Sequence, residues 1–345
     1  MNKVRIGIVG MGIGRDNGRA MHSNPRGEVV ALCDLVPERM QEFATELQAP
    51  MRMYTDTAAL CADPEVDAIF VGTPNRWHVP VALQAVRACK HVMVTKPLAD
   101  SVGAAQELVA TAEAAGVVNM MSLSTRFSAD VRYLGALCRE GRLGDIYYAR
   151  ARSIRRSGIP DWNTGFVEAG GGAFRDMGVH VLDAVWWLLG MPEPVTVTGV
   201  AGARFGPRGL GYWDYRRPPK SFYSRFSADD YGGGMIRFAD GSGLQIESFW
   251  ASHQAPELNI ELFGTEAGAV LRPLTLFETV NDAPLDTRIT VPSTGNAFDA
   301  VADHFIACIL DGVRCEAPLR HGLVVQRMME GLLESAALGR EIRLD

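Results

Sequence analysis

The stretch VRIGIVGMGIG, residues 4–14, predicts a strand followed by a glycine-rich loop. Residues 3–9 are apolar and rich in β-branched side chains, which is typical of a strand covered on both faces. Glycine lets the backbone approach a pyrophosphate, and the N-terminus of the next helix stabilises the negative charge. We therefore expect a dinucleotide to bind here, through Gly10, Gly12, Ile13 and Gly14.

The spacing of these glycines departs from the G-x-G-x-x-G pattern. The third glycine would fall at Arg15, and the nearest glycine is Gly14. We expect Gly14 to take its place in a tighter turn.

Strands and helices alternate after this loop. Strand-like segments cover 28–33, 67–71, 91–94 and 117–121, and helical spacing covers 37–47, 79–89 and 102–115. Such βαβ alternation predicts an α/β Rossmann domain, a doubly wound parallel sheet with helices on both faces.

Asp34 ends the second predicted strand, about twenty residues after the glycine loop. A carboxylate at this place binds the adenosine ribose diol and repels a 2′-phosphate, so NAD is favoured over NADP. The alternative is an aspartate that caps a helix or closes a turn. The tripeptide Thr73, Pro74 and Asn75 follows the strand 67–71 at the same edge and is also expected to contact the cofactor.

Lys96 lies in KHVMVTKPL, residues 90–98, just after the predicted strand 91–94. Pro97 disfavours a helical conformation at Lys96, which keeps the lysine at the carboxyl end of the strand. Ligands of open α/β sheets bind in the crevice at these ends. Lys96 is therefore a candidate catalytic residue, and the alternative is a surface lysine in a turn.

The second part of the chain is dominated by strands. The strand-like segments are 145–156, 194–205, 233–239, 243–251, 257–263 and 268–272. Helices are predicted over 130–140, 297–311 and 321–338. This order predicts an α+β domain with a mostly antiparallel open sheet. We expect two domains, 1–123 for the dinucleotide and 124–345 for substrate binding and oligomerisation.

The segment 170–183 contains three glycines and then a helical run. Asp176 and His180 are four residues apart, so a helix would place them on one face, and Asp183 is three further on. A histidine beside a carboxylate suits proton transfer from an alcohol. The alternative is a surface pair without a role.

Composition and charge argue against several classes of function. The chain has 345 residues and a formal net charge of −6, which gives no support to nucleic acid or an anionic membrane as partner. Six cysteines are scattered without a C-x-x-C pair, and His253, His304 and His321 lack metal-ligand spacing, so no metal site is predicted. We see no signal-peptide pattern and no apolar run of membrane length, and we expect a cytoplasmic protein.

Several motifs together resemble the glucose–fructose oxidoreductase / inositol dehydrogenase (Gfo/Idh/MocA) family over essentially the whole chain. They are residues 10–12, 31–34, 71–78, 90–98, 141–144 and 170–183. The resemblance implies that Lys96, Asp176 and His180 form the catalytic group. It also suggests substrate contacts by Arg126 and Trp162, beside the catalytic group itself.

The same resemblance implies cofactor contacts by His78, Thr95, Lys96 and Pro97. Thr95 departs from the family pattern, because a glutamate usually precedes the catalytic lysine. Residues 204–231 mix arginines and aromatic side chains, which is more typical of a functional or interfacial loop than of a plain connection.

The leading hypothesis is an NAD-dependent oxidoreductase that oxidises a secondary hydroxyl of a sugar, inositol or related polyol. The alternative enzyme cleaves a glycoside by transient oxidation and elimination with recycled NAD. A dinucleotide-binding regulator without chemistry is disfavoured by Lys96, Asp176 and His180. An open sheet in the second domain usually needs a partner, so we expect a homodimer or homotetramer.

Overall fold

The computed structural model describes residues 3–292 and 295–344 and divides into two units. The first contains residues 3–127 and 295–326, and the second contains 128–292 and 327–344. The chain therefore leaves the first unit four residues later than the expected end at 123. The expectation that everything after this point belongs to the second domain is wrong, because 295–326 return to the first.

The first unit contains a parallel sheet, as predicted. Its strands are β1 (Val4–Val9), β2 (Gly27–Cys33), β3 (Arg52–Tyr54), β4 (Ala68–Val71), β5 (His91–Val94) and β6 (Asn119–Met121). Among the described residues these six strands have the order β3-β2-β1-β4-β5-β6, and every pairing is parallel. This is the doubly wound Rossmann order, which places a topological switch point between β1 and β4.

Helices connect these strands at nearly the predicted positions. They are α1 (Gly14–Ser23), α2 (Pro37–Leu47), α3 (Thr57–Ala62), α4 (His78–Arg87) and α5 (Val102–Ala114). Proline at the first position of α2 and the Ser101 hydroxyl at the start of α5 account for two of the boundaries. The short β3 and α3 were missed by sequence reasoning, since β3 is three residues long and mostly exposed.

The second unit is built on a mostly antiparallel sheet. Its strands are β7 (Ile146–Ile154), β8 (Pro194–Gly202), β9 (Tyr231–Phe238), β10 (Gly243–Phe249), β11 (Glu257–Gly264), β12 (Ala267–Leu271), β13 (Leu274–Val280), β14 (Ala283–Arg288) and β15 (Ile342–Arg343). Within the described residues they have the order β14-β13-β12-β11-β7-β10-β9-β8-β15, and only β7 and β10 pair in parallel. The α+β prediction is therefore confirmed.

Helices α6 (Ala129–Arg139) and α7 (Val179–Leu188) cover one face of this sheet, and α8 (Lys220–Tyr223) is a single turn. Ala149 and Ala151 of β7 are fully buried on the covered face. On the other face Arg150 and Arg152 form ion pairs with Glu261. These arginines are therefore part of a charged sheet face.

Two helices follow the sheet, α9 (Ala297–Leu310) and α10 (Leu319–Leu338). α9 returns to the first unit because its apolar face packs on α1, and Arg26 before β2 forms an ion pair with Asp311 at 2.9 Å. In the part of the chain that the structure describes, no helix is both long and apolar enough to cross a membrane.

Candidate active site

The loops after β1 and β4 approach each other closely at the switch point. Gly10 has a φ of +89°, and a Cβ on it would lie 2.6 Å from the carbonyl oxygen of Gly72. A Cβ on Gly72 would lie 3.0 Å from the backbone nitrogen of Gly14. Side chains at these places would push the loops apart, so the glycines are required by the backbone.

Gly12 and Gly14 have different roles in the glycine loop. A Cβ on Gly12 would meet nothing within 4 Å, so the backbone there is open to a ligand. A Cβ on Gly14 would lie 2.9 Å from Ile8, so Gly14 permits close packing of α1 on β1. Close packing is the role of the third glycine in the usual pattern, which supports our prediction for Gly14. The loop and the start of α1 together fit a pyrophosphate.

Asp34 is held beside this loop by two backbone hydrogen bonds. Its Oδ2 accepts from the Met11 N–H at 2.7 Å, and its Oδ1 accepts from the Val36 N–H at 2.9 Å. The carboxylate is partly exposed, and each oxygen retains a further lone pair. This geometry fits recognition of a ribose diol.

Asp34→Ala should weaken NAD binding and narrow the preference for NAD over NADP. Charge-assisted hydrogen bonds contribute about 1.5–3 kcal/mol, which is about 10- to 150-fold in the dissociation constant. Titration calorimetry with both cofactors measures this change. Asp34→Asn is the matched control, since it retains an acceptor oxygen and removes the charge. Equal affinity of the wild type for NADP and NAD would contradict the assignment.

His78 joins the loops after β4 and β5. The ring is fully buried, with Nδ1 at 2.7 Å from the Pro97 carbonyl oxygen and Nε2 at 2.7 Å from that of Thr73. Burial lowers the pKa of His78, and the two carbonyl oxygens oppose this shift. A fully buried ring has no surface for a ligand. We therefore replace the expected cofactor contact of His78 by a positioning role for Thr73 and Pro97.

Lys96 follows β5, where the sequence placed it. Thr95 is buried and its N–H donates to the Val71 carbonyl oxygen at 3.0 Å, which extends the β4–β5 pairing to the last residue before the lysine. The Lys96–Pro97 peptide bond is cis, and Lys96 is partly buried. A threonine at 95 leaves no carboxylate next to the lysine in the sequence. The β-branched side chain of Thr95 instead fits the end of a buried strand.

In the second unit, Asp176 lies in a π-helical turn, Phe174–Gly178, that leads into α7 with His180 in its first turn. The Trp250 indole N–H donates to Asp176 Oδ2 at 3.0 Å. Trp250 is fully buried, so its indole holds the carboxylate in one position. Sequence reasoning missed Trp250, although it falls in the predicted strand 243–251. π-Helical turns occur frequently at functional sites.

The start of this helical segment is held from two sides. The Phe174 N–H donates to Asp229 Oδ2 at 2.9 Å, and the Ser248 hydroxyl donates to the Ala173 carbonyl at 3.0 Å. Arg175 forms an ion pair with Glu330 of α10 at 2.6 Å. These bonds orient the turn that carries Asp176.

Asp229→Asn should stabilise the protein near pH 7.5. Burial raises the pKa of Asp229 from 3.8 to about 6. The folded chain therefore binds this proton more tightly than the unfolded chain. The resulting stabilisation is complete below about pH 4 and is lost as pH rises through about 6.

An asparagine keeps an acceptor for the Phe174 N–H and removes the buried charge. We expect a gain of about 1–3 kcal/mol in the free energy of unfolding at pH 7.5, and little gain at pH 4. Urea unfolding of both proteins at the two pH values measures this difference. A variant that is destabilised equally at both would contradict it.

Aromatic side chains lie near Asp176 in the second unit. Trp162 is 60% exposed, and its ring meets Trp213 edge-on with centroids 5.8 Å apart. The Arg155 guanidinium lies 4.9 Å from the centroid of the Trp213 ring. Burial lowers the pKa of Arg155, and the nearby carboxylate of Asp176 opposes the shift. The predicted substrate residue Trp162 thus belongs to an aromatic cluster that Arg155 connects electrostatically to Asp176.

The loop 204–231 is well packed. Tyr212 is fully buried in a small core with Ile159 and Trp250, and Phe205 and Phe226 pack against this core. The buried Asp230 carboxylate accepts from the N–H groups of residues 204, 205 and 206 at 2.7–3.0 Å. The loop therefore supports Trp250 within its own unit.

Arg126 does not fit a substrate contact. Its side chain is fully buried, and its guanidinium donates to the Glu316 carbonyl oxygen and lies 3.2 Å from Nδ1 of His321. A side chain without exposed surface cannot contact a substrate while these bonds last. We assign Arg126 to the support of the segment before α10 instead.

The switch-point glycines, Asp34 and the strand order together define a dinucleotide-binding protein of the Rossmann type. Family models identify it further. Residues 4–123 match the oxidoreductase family with an NAD-binding Rossmann fold, and residues 131–270 match the GFO/IDH/MocA C-terminal domain. The chain belongs to this family, and it is an NAD-dependent oxidoreductase, as the sequence predicted.

Individual relatives agree with the family models. The chain is 28% identical to the D-glucoside 3-dehydrogenase of Escherichia coli (strain K12), over 99% of this chain and 97% of that protein. It is 31% identical to the 1,5-anhydro-D-fructose reductase of Ensifer adhaerens, over 71% of this chain and 68% of that protein. The solved structure of levoglucosan dehydrogenase with NADH and levoglucosan has a TM-score of 0.84 at 22% identity, covering 99% and 100% of the two chains.

Proposed function

We propose that the protein oxidises a secondary hydroxyl of a sugar, inositol or related polyol, with Lys96, Asp176 and His180 as its catalytic group. The observation that carries the proposal is the fixed position of Asp176. The Trp250 indole N–H holds the Asp176 carboxylate, and two further hydrogen bonds hold the start of the same helical segment. His180 follows Asp176 by four residues. Such restraint is expected of a proton-transfer pair.

Each residue has a distinct role in the proposed reaction. When bound, the nicotinamide supplies the hydride acceptor. His180 removes the hydroxyl proton, and Asp176 orients the imidazole and stabilises its charged form. The Lys96 ammonium stabilises the negative charge that develops on the substrate oxygen. Thr73, Pro74, Asn75, Thr95, Lys96 and Pro97 remain our proposed cofactor contacts in this part of the chain.

The aromatic cluster supports a sugar as substrate. The exposed ring of Trp162 offers an apolar surface for the C–H face of a pyranose, and the Arg155 guanidinium offers donors for hydroxyl oxygens. The Escherichia coli relative, which aligns over 99% of this chain, is named for oxidation of a D-glucoside at carbon 3. We therefore place pyranosides first among the candidate substrates.

A substrate screen tests the proposal. Polyols, free sugars and glycosides are incubated with saturating NAD, while NADH absorbance and the released aglycone are followed. Net NADH with an intact carbon skeleton supports the dehydrogenase. Cleavage of a glycoside without net NADH would replace it by the alternative, oxidation followed by elimination. Absence of both with every compound, in protein that binds NAD, would overturn the proposal.

A homodimer or homotetramer and a cytoplasmic location are part of the same proposal. The sheet face that carries Arg150 and Arg152 lies opposite the helix-covered face and offers a surface for a second copy. The six cysteines, all within the described residues, are free thiols, as expected in a reducing compartment. Light scattering that shows a monomer at micromolar concentration would contradict the oligomer.

A further inference from the structure

Three metal-ligand side chains converge in the first unit, next to the segment before α10 that Arg126 supports. They are His304, Cys308 and Cys315, and we call them the His-Cys-Cys cluster. His304 and Cys308 are four residues apart on α9, so they share a face of that helix. Cys315 comes from the segment between α9 and α10. The spacing of these three residues in the sequence gave no metal-ligand pattern, and the fold brings their side chains together.

The distances within the cluster fit a tetrahedral metal ion. Cys308 Sγ lies 3.5 Å from His304 Nε2, and the ligand atoms of the three residues lie within 4.8 Å of one another. With Zn–S of about 2.3 Å and Zn–N of about 2.05 Å, a tetrahedral site requires an S···N separation of about 3.6 Å. The pair on α9 is thus already spaced as two ligands of one ion.

The imidazole also has the protonation that a metal requires. His304 Nε2 accepts a hydrogen bond from the Glu316 backbone N–H at 2.9 Å. A backbone N–H only donates, so Nε2 carries a lone pair. Metal binding exchanges this hydrogen bond for a coordinate bond.

The cluster is sheltered but accessible. Cys308 is buried, whereas His304 and Cys315 are partly buried. Cys308 and Cys315 border a cavity of about 210 Å³. The cavity has room for a fourth ligand such as water. Arg314 and Arg320 also line it, so an anion is a further candidate for the fourth position.

We propose that the His-Cys-Cys cluster binds one thiophilic divalent cation of the zinc type. Two thiolates and one imidazole are the ligand set that such ions prefer. The ion would tie the end of α9 to the segment before α10. That segment hydrogen-bonds to the edge of the sheet, where the Met121 N–H donates to the Ala317 carbonyl at 2.9 Å. The site is structural and is separate from the proposed hydride chemistry.

Cadmium binding to the full-length chain tests this site. The protein is reduced with a phosphine, stripped with a chelator, and titrated anaerobically with Cd²⁺ and then with competing Zn²⁺. Thiolate-to-cadmium charge-transfer absorption reports sulfur ligation, and metal analysis gives the stoichiometry. We expect one ion per chain and a melting temperature that rises with metal concentration.

Variants separate the cluster from the other thiols. Cys315→Ser, on the partly exposed segment, and His304→Gln should each weaken binding by at least about 100-fold, more than loss of an outer-shell partner does. Cys89→Ser, at an exposed cysteine outside the cluster, should bind as the wild type does. Absence of charge transfer in the reduced, folded wild type would overturn the site. So would an undiminished Cd²⁺ affinity and wild-type charge-transfer amplitude in Cys315→Ser, or a 308–315 disulfide in protein that binds no metal after reduction.

Discussion

His180→Ala is expected to lower the rate of the chemical step by about 10²–10⁴-fold while NAD affinity changes little. A positioned general base contributes a factor of this size, about 3–5 kcal/mol of activation free energy. NAD affinity is spared because the imidazole acts on the substrate hydroxyl and not on the cofactor. Single-turnover kinetics at saturating NAD and calorimetric NAD binding measure the two quantities separately.

The pH dependence gives a second readout of His180. In the wild type, kcat/KM should rise with pH through one ionisation near neutrality, which belongs to the coupled Asp176–His180 group. His180→Ala should lose this ionisation. A merely structural histidine would leave the pH profile unchanged, and full turnover of the variant on its true substrate would end this assignment.

Two variants serve as controls for His180. Asp176→Asn retains an oxygen that accepts the Trp250 N–H, so the fold should persist while turnover falls through weaker support of the imidazolium. His253→Ala removes an exposed ring that meets Phe205 edge-on, with centroids 5.4 Å apart. We expect His253→Ala to keep wild-type kinetics.

The parts of the site that local sequence determines could be predicted. A glycine loop between a strand and a helix, an aspartate at a strand end and a histidine four residues after an aspartate are local patterns. The structure places each on the predicted kind of element, with Asp34 beside the loop and Asp176 in a helical turn. The third-glycine role of Gly14 followed from the same local logic.

The missed residues depend on contacts between distant segments. Trp250 reaches Asp176 across 74 positions of sequence, because β10 pairs with β9 and places its end under the helical turn. Nothing local to Trp250 indicates this partner. The hairpin of β13 and β14 was missed for another reason: β14 is exposed throughout, so it lacks the alternation of buried and exposed residues that identifies a strand.

Burial explains why the ligand contacts predicted for two residues were wrong. His78 and Arg126 both lie in motifs that resemble functional segments, and both side chains are fully buried. Each uses its polar atoms on backbone carbonyl groups of its own unit. Sequence motifs therefore led to the loops of the proposed site, but they did not distinguish an exposed residue from a buried one that holds the loop.

Lys96→Ala should reduce turnover at least as severely as His180→Ala does. The ammonium is proposed to face the oxygen on which negative charge develops, and loss of one such donor typically costs about 10²–10³-fold in kcat. Where bound substrate excludes water, the attraction between the ammonium and the developing negative charge is screened less than in bulk water. The expected loss in kcat is larger for this reason. NAD affinity should fall only modestly, because the loss concerns the reacting oxygen.

The matched control is Lys90→Ala at the other end of β5. Lys90 is a structural lysine, whose Nζ donates to the carbonyl oxygens of Asp63 and Val66 at 2.9 and 2.7 Å. Its loss should lower the melting temperature and leave kcat almost unchanged. Lys96→Ala should instead lower kcat and leave the melting temperature almost unchanged. Lys96→Arg keeps the charge but alters its geometry, so it should recover only part of the rate.

Chemical rescue distinguishes a catalytic ammonium from a structural one. Small alkylammonium ions fit the space that Lys96→Ala vacates and return a positive charge to it. They should raise the turnover of Lys96→Ala in a saturable way and leave Lys90→Ala unaffected. Rescue of both variants, or full turnover of unrescued Lys96→Ala, would show that the lysine after β5 is not the residue that stabilises the alkoxide.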